Sequence, residues 1–280
     1  MVGAPGPATV AGSAHGPAAV LRRRRELSRA LAFEHAVARR SATSVLPSAG
    51  GFAVLHQEFP LSHQHNRLLV TGPVAVDRVF ADAERILGGA GLAHRRIDVD
   101  DDPQGAALGG GRLPLGYQHG VELWMALTGG PDREPTVPVA RVRYPAVAPT
   151  VARDWLRELP GLGEEALRQL VERQRATARA CVVTHHVVRR GGAVVARCDL
   201  YRRGVTAQVE NVATEPEWRG RGFARAVVLD AARAAAARGC TLVFLIADAA
   251  DWPQQLYRRC GFQDLGRTHT FTATASVPPP

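Results

Sequence analysis

Hydrophobic and polar positions in the first half of this 280-residue chain predict helices alternating with short strands. Residues 22–40 have helical spacing, whereas apolar stretches bounded by glycine or proline predict strands. We expect residues 47–51 to be a break and residues 98–102 an acidic turn. The elements predicted for this half are a helix at 22–40, strands at 52–59 and 67–71, a helix at 76–87, and strands at 94–99 and 121–127.

The second half predicts a mostly antiparallel sheet with one parallel strand–helix–strand step, which is an α+β fold. The residues Arg190-Gly-Gly192 are typical of a hairpin turn, and Thr241–Ala247 is continuously apolar, as expected of a strand buried on both faces. Its predicted elements are a strand at 137–144, helices at 155–159 and 164–179, strands at 181–189, 193–200 and 206–214, a helix at 223–238, a strand at 241–247, a helix at 253–259 and a strand at 267–275.

The two halves resemble one another at an offset of 145 residues. Asn66 aligns with Asn211, and Gly116-Tyr-Gln aligns with Gly261-Phe-Gln, with helix and strand patterns in the same order between these anchors. The offset predicts an internal repeat. The alternative is a single domain preceded by an unrelated cap.

Composition restricts the class of protein. Hydrophobic residues make up 46% and charged residues 22%, which excludes wholesale disorder and a membrane-protein composition. The net charge of +9 would suggest nucleic acid, but all 35 basic residues are arginine and no basic motif interleaved with aromatics accompanies them. We therefore expect no specific nucleic-acid partner and no membrane partner.

The cysteines and the N-terminal segment indicate the compartment. The four cysteines form no C-x-x-C pair and have no zinc spacing, so we expect reduced thiols, no metal and a cytoplasmic location. Residues 1–19 have the composition of a disordered tail and lack the charged start of a signal peptide.

The stretch Asn211–Ala224 carries the candidate chemistry. A strand is expected to end near Thr214, and Arg219-Gly-Arg-Gly-Phe-Ala224 then leads into a long helix. Glycines allow close backbone approach, and unpaired amides at a helix start favour an anion such as a pyrophosphate. A glycine-rich helix start without a ligand is the alternative.

Three features in register resemble the GNAT superfamily of N-acetyltransferases. Arg219-x-x-Gly222-x-Ala224 is similar to its Arg/Gln-x-x-Gly-x-Gly/Ala signature, and residues 211–218 are similar to the strand and turn before it. Leu256-Tyr-Arg-Arg-Cys-Gly-Phe262 resembles its Leu-Tyr-x-x-x-Gly-Phe motif. The resemblance covers residues of about 137–275.

The resemblance implies that acetyl-CoA is the co-substrate and that an amine is the acceptor. Its pantetheine arm would pair with backbone groups of Val212, Ala213 and Thr214, between two splayed strands. Its pyrophosphate would lie on the residues Arg219, Gly220, Arg221, Gly222, Phe223 and Ala224. The amine would attack the thioester directly.

The resemblance also implies an acid and a base. Tyr257 occupies the position of the superfamily's tyrosine acid, and a packed aromatic is the alternative. Many relatives carry a glutamate where this chain has Gln208, so Glu210 is the candidate base, provided that residues 208, 210, 212 and 214 share one strand face. Reserve candidates are His185, His186 and Asp199, although paired histidines on a strand more often comprise one core and one solvent residue.

The first half is not expected to bind acetyl-CoA. At the 145-residue offset, Arg219, Gly222, Ala224 and Tyr257 are replaced by Val74, Asp77, Val79 and Arg112. An aspartate in place of the glycine would repel phosphate. We therefore predict a disordered tail at 1–19, a degenerate GNAT-like domain at 20–135 that stabilises the protein and contributes a wall of the acceptor site, and a catalytic domain at 136–280.

The predicted fold is thus two GNAT-like mixed-sheet α/β halves in tandem, with an intact acetyl-CoA motif only in the C-terminal half. The predicted function is acetyl-CoA-dependent N-acetylation of a primary amine on a small molecule. A protein acceptor, a non-catalytic acyl-CoA-binding module and homodimer formation remain open.

Overall fold

The computed structural model describes residues 16–274, and its helices and strands follow the predicted order with additions. They are α1 (Pro17–Ser41), β1 (Ser44–Ser48), β2 (Gly51–Leu55), β3 (Arg67–Val70), α2 (Val76–Ala83), β4 (His94–Val99), α3 (Asp102–Gly110), β5 (Gln118–Leu127), β6 (Ala140–Val142), α4 (Ala148–Glu158), α5 (Glu164–Glu172), α6 (Gln174–Ala180), β7 (Val182–Arg190), β8 (Ala193–Arg203), β9 (Thr206–Thr214), α7 (Phe223–Ala236), β10 (Leu242–Asp248), α8 (Pro253–Arg259) and β11 (Phe262–Thr274).

The described strands form one sheet whose order is symmetric about the central β5–β11 pair, with β6 added at one edge. The order is β1-β2-β3-β4-β11-β5-β10-β9-β8-β7-β6. Outward from the central β5–β11 pair, β4 corresponds to β10, β3 to β9, β2 to β8 and β1 to β7. Each half contains one parallel pair, β3 with β4 and β9 with β10, at corresponding places. The internal repeat is confirmed.

The last strands of the two halves are exchanged. β11 pairs with β4 of the first half, and β5 pairs with β10 of the second half. The two exchanged strands pair with each other through ten residues of β5. Each half therefore completes its sheet with a strand from the other.

Helices cover both faces of the sheet. On one face, α7 packs on Val243 and Leu245 of β10 within the largest apolar cluster. On the other face, α1 packs on Leu242 and Phe244, and the rings of Phe33 and Phe244 meet edge to face at 5.5 Å. The prediction that this apolar strand is buried on both faces is confirmed.

Several local predictions in the first half are corrected. Residues 1–15 of the expected tail lie outside the described residues, but residues 17–19 form the first turn of α1, where Pro17 is well tolerated. The expected break at 47–51 is instead the β1–β2 hairpin, because Pro47 lies on an edge strand that needs no second partner. The acidic segment belongs mostly to ordered elements, since Asp98 lies in β4 and Asp101 caps α3 by accepting from the Gln104 amide at 2.8 Å.

The second half also differs in detail. The strand expected at 137–144 is reduced to three residues of β6, and the helix expected at 155–159 begins earlier, at Ala148, with Pro149 in its first turn. The helix expected at 164–179 divides at Arg173 into α5 and α6. β8 extends three residues beyond its predicted end, to Arg203, whereas β7, β9, β10, α7 and α8 lie within two residues of their predicted bounds.

Candidate functional site

β9 and β10 separate along the sheet and leave an opening between them. They pair in parallel only from Thr206 with Leu242 to Gln208 with Phe244. Beyond that point β9 stays paired with β8, whereas β10 stays paired with β5. Backbone groups of residues 209–214 on that side consequently have no strand partner among the described residues. In the first half, β3 and β4 stay paired to the last residue of β3, so no equivalent opening forms.

A β-bulge at Asn211 directs the side chains at this opening. Asn211 has a φ of 52°, and the pairing of β8 with β9 shifts by one residue there. Its side-chain amide donates to Asp199 at 2.8 Å and to the Tyr201 hydroxyl at 3.0 Å, so it shares the face of Glu210. Val212 instead packs against the cluster under α7. The expectation that residues 208, 210, 212 and 214 share one face is therefore wrong beyond Glu210, because the bulge reverses the alternation.

The glycine-rich turn forms a backbone cradle at the start of α7. Gly220 and Gly222 have φ values of 74° and 78°, which favour glycine, and no side chain caps the helix. The Arg219 guanidinium donates to the Thr214 carbonyl at 3.2 Å. That of Arg221 stacks on Trp218 at 4.7 Å and does not line the cleft formed by the described residues. The first amides of α7 are thus free to bind an anion.

A long cleft of about 1060 Å³ joins the cradle to the opening. It is lined by most of the predicted cofactor-binding residues: Val212, Ala213, Thr214, Arg219, Gly220, Gly222, Phe223 and Ala224. Both candidate catalytic residues, Tyr257 and Glu210, line it too. Residues from three separate sequence segments therefore meet in this cleft.

Tyr257 lies on α8 at the side of the long cleft. Its ring packs on Phe262 and is largely buried. Its hydroxyl has no hydrogen-bond partner within residues 16–274. Burial raises the pKa of Tyr257, with smaller contributions from Glu210 and other acidic groups. The hydroxyl therefore stays protonated near neutral pH and can donate a proton.

Glu210 lies where the opening begins. Its carboxylate accepts a 2.7 Å hydrogen bond from the Gln208 side chain. Burial, followed by the negative charges of Glu34, Glu122 and Asp199, raises the pKa of Glu210 to about 8. A carboxylate with such a pKa can accept a proton from an amine more readily than an ordinary glutamate.

A second cavity of about 300 Å³ adjoins the cleft, with Glu34, Arg67, Arg96 and Glu210 lining both. We call it the seam cavity because β4 and β5 of the first half and β9, β10 and β11 of the second form its floor. Its polar lining includes Glu34, His35, Arg67, Arg96, Asp98, Asp100, Glu122, Gln208, Glu210, Asp248, Thr268 and Thr270. The sequence pattern predicts only the acidic segment Asp98–Asp102 of this cavity, because strand exchange brings the rest of the lining together.

The reserve candidates separate onto two faces of the sheet. The ring of His185 lies 2.6 Å from Asp199, which lines the long cleft. The ring of His186 lies 2.7 Å from Asp230 on α7. Both histidines are buried because helices cover both faces, so the expectation that one faces solvent is wrong. Asp199 is the reserve candidate that reaches the cleft.

The first half lacks a cradle at the corresponding position. α2 follows Ala75, which has an extended backbone, and Asp77 lies in its first turn. The amide of Val74 is already bound to the Gln104 side chain at 3.1 Å. Only the C-terminal half carries an intact motif.

The described residues were also compared with the requirements of a metal site and of a membrane-spanning helix. Among residues 16–274, no three His, Cys, Asp or Glu side chains are grouped so that they could hold a metal ion. No helix in the same part of the chain combines the length and apolar character of a membrane span.

Comparisons with known proteins agree with this geometry. Residues 161–264 match the family model described as an acetyltransferase (GNAT) domain. No curated protein matches the chain significantly in sequence.

Solved structures share the fold across most of the chain. A functionally unknown conserved protein from Staphylococcus epidermidis ATCC 12228 has a TM-score of 0.63 at 13% identity, over 83% of this chain and 94% of that one. A GCN5-related N-acetyltransferase from Kribbella flavida has a TM-score of 0.59 at 18% identity, over 91% of this chain and 96% of that one. Another GCN5-related N-acetyltransferase, from Sphaerobacter thermophilus, has a TM-score of 0.50 at 19% identity, over 72% of this chain and 68% of that one.

At such identities these structures support the fold alone, whereas the family match is to sequence and covers the cradle, the opening and Tyr257. Residues 161–264 of this chain therefore form an acetyltransferase (GNAT) domain, and in the internal repeat only this half carries the intact motif.

Proposed function

We propose that the protein transfers the acetyl group of acetyl-CoA directly to a primary amine of a small molecule. The observation that carries this proposal is the opening between β9 and β10, with the cradle at one end and the carboxylate of Glu210 at the other. An acyltransferase domain at residues 161–264 supplies the reaction class.

Both the backbone and the side chains that line the cleft suit acetyl-CoA. At Gly220 and Gly222 an added Cβ would meet nothing within 4 Å, so the turn is open to a ligand. The Thr214 hydroxyl is a buried group without a partner in the described chain, and it lines the same cleft. In this proposal the pyrophosphate lies on the first amides of α7, and the pantetheine lies along residues 212–214.

The amine must lose a proton before it forms a bond, because an alkylamine with a pKa of about 10 is mostly protonated near neutrality. Glu210 accepts that proton, and the nitrogen attacks the thioester carbonyl. The nitrogen then loses its second proton to solvent, the carbon–sulfur bond breaks and the amide forms. Tyr257 donates its proton to the leaving thiolate, and both groups return to their starting states by proton exchange with solvent.

A small acceptor is favoured over a protein because the space beyond Glu210 is confined. The seam cavity is near the lower end of the size range of small-molecule pockets. α1 covers it through Leu31, Glu34 and His35. A protein acceptor would have to enter beneath this helix.

Acetyl-CoA binding to wild type and to Gly222→Asp, measured by calorimetry, tests the cofactor half of the proposal. We expect one equivalent to bind wild type and none to bind the variant, because an aspartate opposes the pyrophosphate and strains the turn. Gly222→Asn keeps a residue that tolerates positive φ but carries no charge, so it should retain weak binding.

Gly239→Asp is the matched control for that experiment. Gly239 lies just beyond the other end of α7, with a φ of 75° and open space around it. An aspartate there introduces the same backbone strain and negative charge far from the cradle. Two equivalents bound by wild type would show that the first half is not silent. No binding at all would overturn the proposed function.

A non-catalytic acyl-CoA-binding module is the second candidate, favoured only by Gln208 in place of the glutamate of many relatives. Thiol release in the presence of amines separates the two candidates. In the enzyme, Tyr257→Phe should bind acetyl-CoA normally but release thiol more slowly by roughly 100-fold or more, since a general acid contributes at least about that much. A non-catalytic module would release no thiol, either as wild type or as Tyr257→Phe.

We further propose a cytoplasmic setting without a specific nucleic-acid partner. All four cysteines are free thiols, which suits a reducing compartment. Arginines that could meet phosphates are in part engaged within the protein, as Arg153 and Arg157 are with Glu215.

A further inference from the structure

The seam cavity contains more carboxyl groups than arginine side chains. Its floor is a polar row across five strands, running from Asp98 on β4 through Thr268 on β11, Glu122 on β5 and Asp248 on β10 to Glu210 on β9. Register places these side chains on one face, since Thr268 pairs with Glu122 and Glu122 pairs with Asp248. α1 adds Glu34 above the row.

Two arginines neutralise only part of this cluster. Arg67 pairs with Glu34 at 3.3 Å and with Asp98 at 2.9 Å. Arg96 pairs with the same Asp98 at 2.8 Å and with Glu122 at 3.3 Å. Six carboxylates therefore face two guanidinium groups.

The remaining carboxylates are Asp100, Asp248 and Glu210, and none of them has an arginine partner among the described residues. Asp100 lies 2.9 Å from the ring of His35, and Asp248 accepts only the amide of Ala250 at 2.7 Å. These groups lie at opposite sides of the cavity, on the β4 and β10 sides.

Gln208 gives an independent indication of what binds there. Its side chain is 1% exposed and lines the cavity, yet its amide oxygen has no hydrogen-bond partner within residues 16–274. The other end of this amide donates to Glu210, which fixes the oxygen as an unused acceptor. An unpaired buried acceptor is costly, so a ligand with N–H donors is the complement of this site.

We propose, building on the function proposed above, that the seam cavity selects a small aliphatic dication of the diamine or short polyamine class as the acetyl acceptor. One ammonium group lies at Gln208 and Glu210, next to the opening, and is acetylated there. The second ammonium group lies between Asp248 and Glu122, which are cross-strand neighbours on β10 and β5, and does not react. Methylene groups between them contact Ile246 and Trp124, which line the same cavity.

Competition between matched amines on the wild-type protein tests the proposal. The probes are 1-aminobutane and 1,4-diaminobutane, with spermidine as a longer member, and the readout is thiol release from acetyl-CoA. We expect kcat/KM to be roughly 10- to 100-fold higher for 1,4-diaminobutane than for 1-aminobutane, the range for one charge-assisted hydrogen bond. Equal values would overturn the proposal and leave the proposed function intact.

Asp248→Asn tests the second ammonium position. Asp248 is exposed at the cavity mouth and its amide replacement can still accept from Ala250, so the fold should persist. The variant should lose roughly 10-fold or more in kcat/KM for the diamine and little for the monoamine. Asp77→Asn is the matched control, because Asp77 is an exposed aspartate on α2 that does not line the cavity. A loss of equal size for both amines would contradict the assignment.

Calorimetry of 1,4-diaminobutane without acetyl-CoA separates this proposal from the proposed function. Binding of one equivalent that Asp248→Asn weakens supports the cavity assignment even if no transfer is observed. Absence of diamine binding, with acetyl-CoA still bound and monoamines still acetylated, overturns it. Absence of acetyl-CoA binding concerns the proposed function alone.

Discussion

At the scale of single residues, the properties of Glu210 come from its neighbours in space. Carboxylates from α1, β5 and β8 surround it, namely Glu34, Glu122 and Asp199, and burial adds to their effect. Hydrogen bonds from the Gln208 side chain and the Asn211 backbone do not compensate, since the pKa of Glu210 still lies near 8. The raised pKa that the proposed base needs is thus obtained by crowding like charges, at the expense of stability at higher pH.

Glu210→Gln should therefore stabilise the protein in alkaline solution. Between pH 4.5, the ordinary pKa of a glutamate, and about pH 8, the folded protein holds a proton on Glu210 and the unfolded chain does not. This group therefore makes the free energy of unfolding fall as pH rises through that window. The variant, which resembles the protonated form, should show a higher Tm than wild type at pH 8.5 and nearly the same Tm at pH 4.5. Its acetyl transfer should fall by roughly 100-fold or more, and the limb of kcat/KM that rises toward pH 8 should disappear.

Glu164→Gln is the control, since Glu164 is an exposed glutamate on α5 away from both cavities. It should change neither the activity nor the pH dependence of Tm. A Tm difference between wild type and Glu210→Gln that stays constant from pH 4.5 to 8.5 would show that the pKa of Glu210 is not raised.

At the scale of elements, the bulge in β9 determines how the opening is built. Asn211 adopts positive φ, and its amide spans Asp199 and Tyr201 on β8. The extra residue places Glu210 toward α1 and Val212 toward α7. The strand can thus present a carboxylate to the acceptor side and bury an apolar side chain only two residues later.

Replacing Asn211 should separate the conformational part of this role from the hydrogen-bonding part. Asn211→Ala loses both, because alanine is strained at this φ, and should lower the free energy of unfolding by about 1–3 kcal/mol. Asn211→Gly keeps the backbone freedom and loses only the hydrogen bonds, so it should be less destabilised. Urea unfolding measures both variants, and Asn211→Ala should also bind acetyl-CoA more weakly. An alanine variant at least as stable as the glycine variant would contradict the bulge argument.

At the scale of the whole molecule, strand exchange makes the two halves one folding unit. β5 lies between β11 and β10, and β11 lies between β4 and β5, so separation would expose long unpaired edges in both halves. α1 strengthens the connection, since it packs on α6 and on β11 of the second half. The half without the glycine-rich motif is thus a structural partner that also supplies Asp98, Asp100 and Glu122 to the seam cavity.

Residues 1–135 and 136–280, expressed separately, should therefore fail to fold as monomers. Expressed together, they should form a one-to-one complex that binds acetyl-CoA. Size-exclusion chromatography, circular dichroism and calorimetry of the three samples check this expectation. A monomeric C-terminal half that folds alone and binds acetyl-CoA as tightly as the intact chain would show that β5 is dispensable.

The sequence by itself determined the features that depend on neighbours along the chain. The apolar run of β10, the helix α7 and the glycine-rich turn before it could be predicted because periodicity and the backbone freedom of glycine are local properties. The 145-residue offset likewise predicted the repeat, since both halves keep the same order of elements. Tyr257 and Glu210 were identified as candidates by their positions relative to these motifs.

Tertiary structure alone decided the features that depend on residues far apart in the chain. Exchange of β5 and β11 follows from pairing between strands about 140 residues apart, which no local pattern encodes. The bulge at Asn211 requires Asp199 and Tyr201 across the sheet, and the raised pKa of Glu210 requires Glu34 and Glu122 from distant segments. The seam cavity exists only where both halves meet, because the charges that define it lie on strands contributed by each.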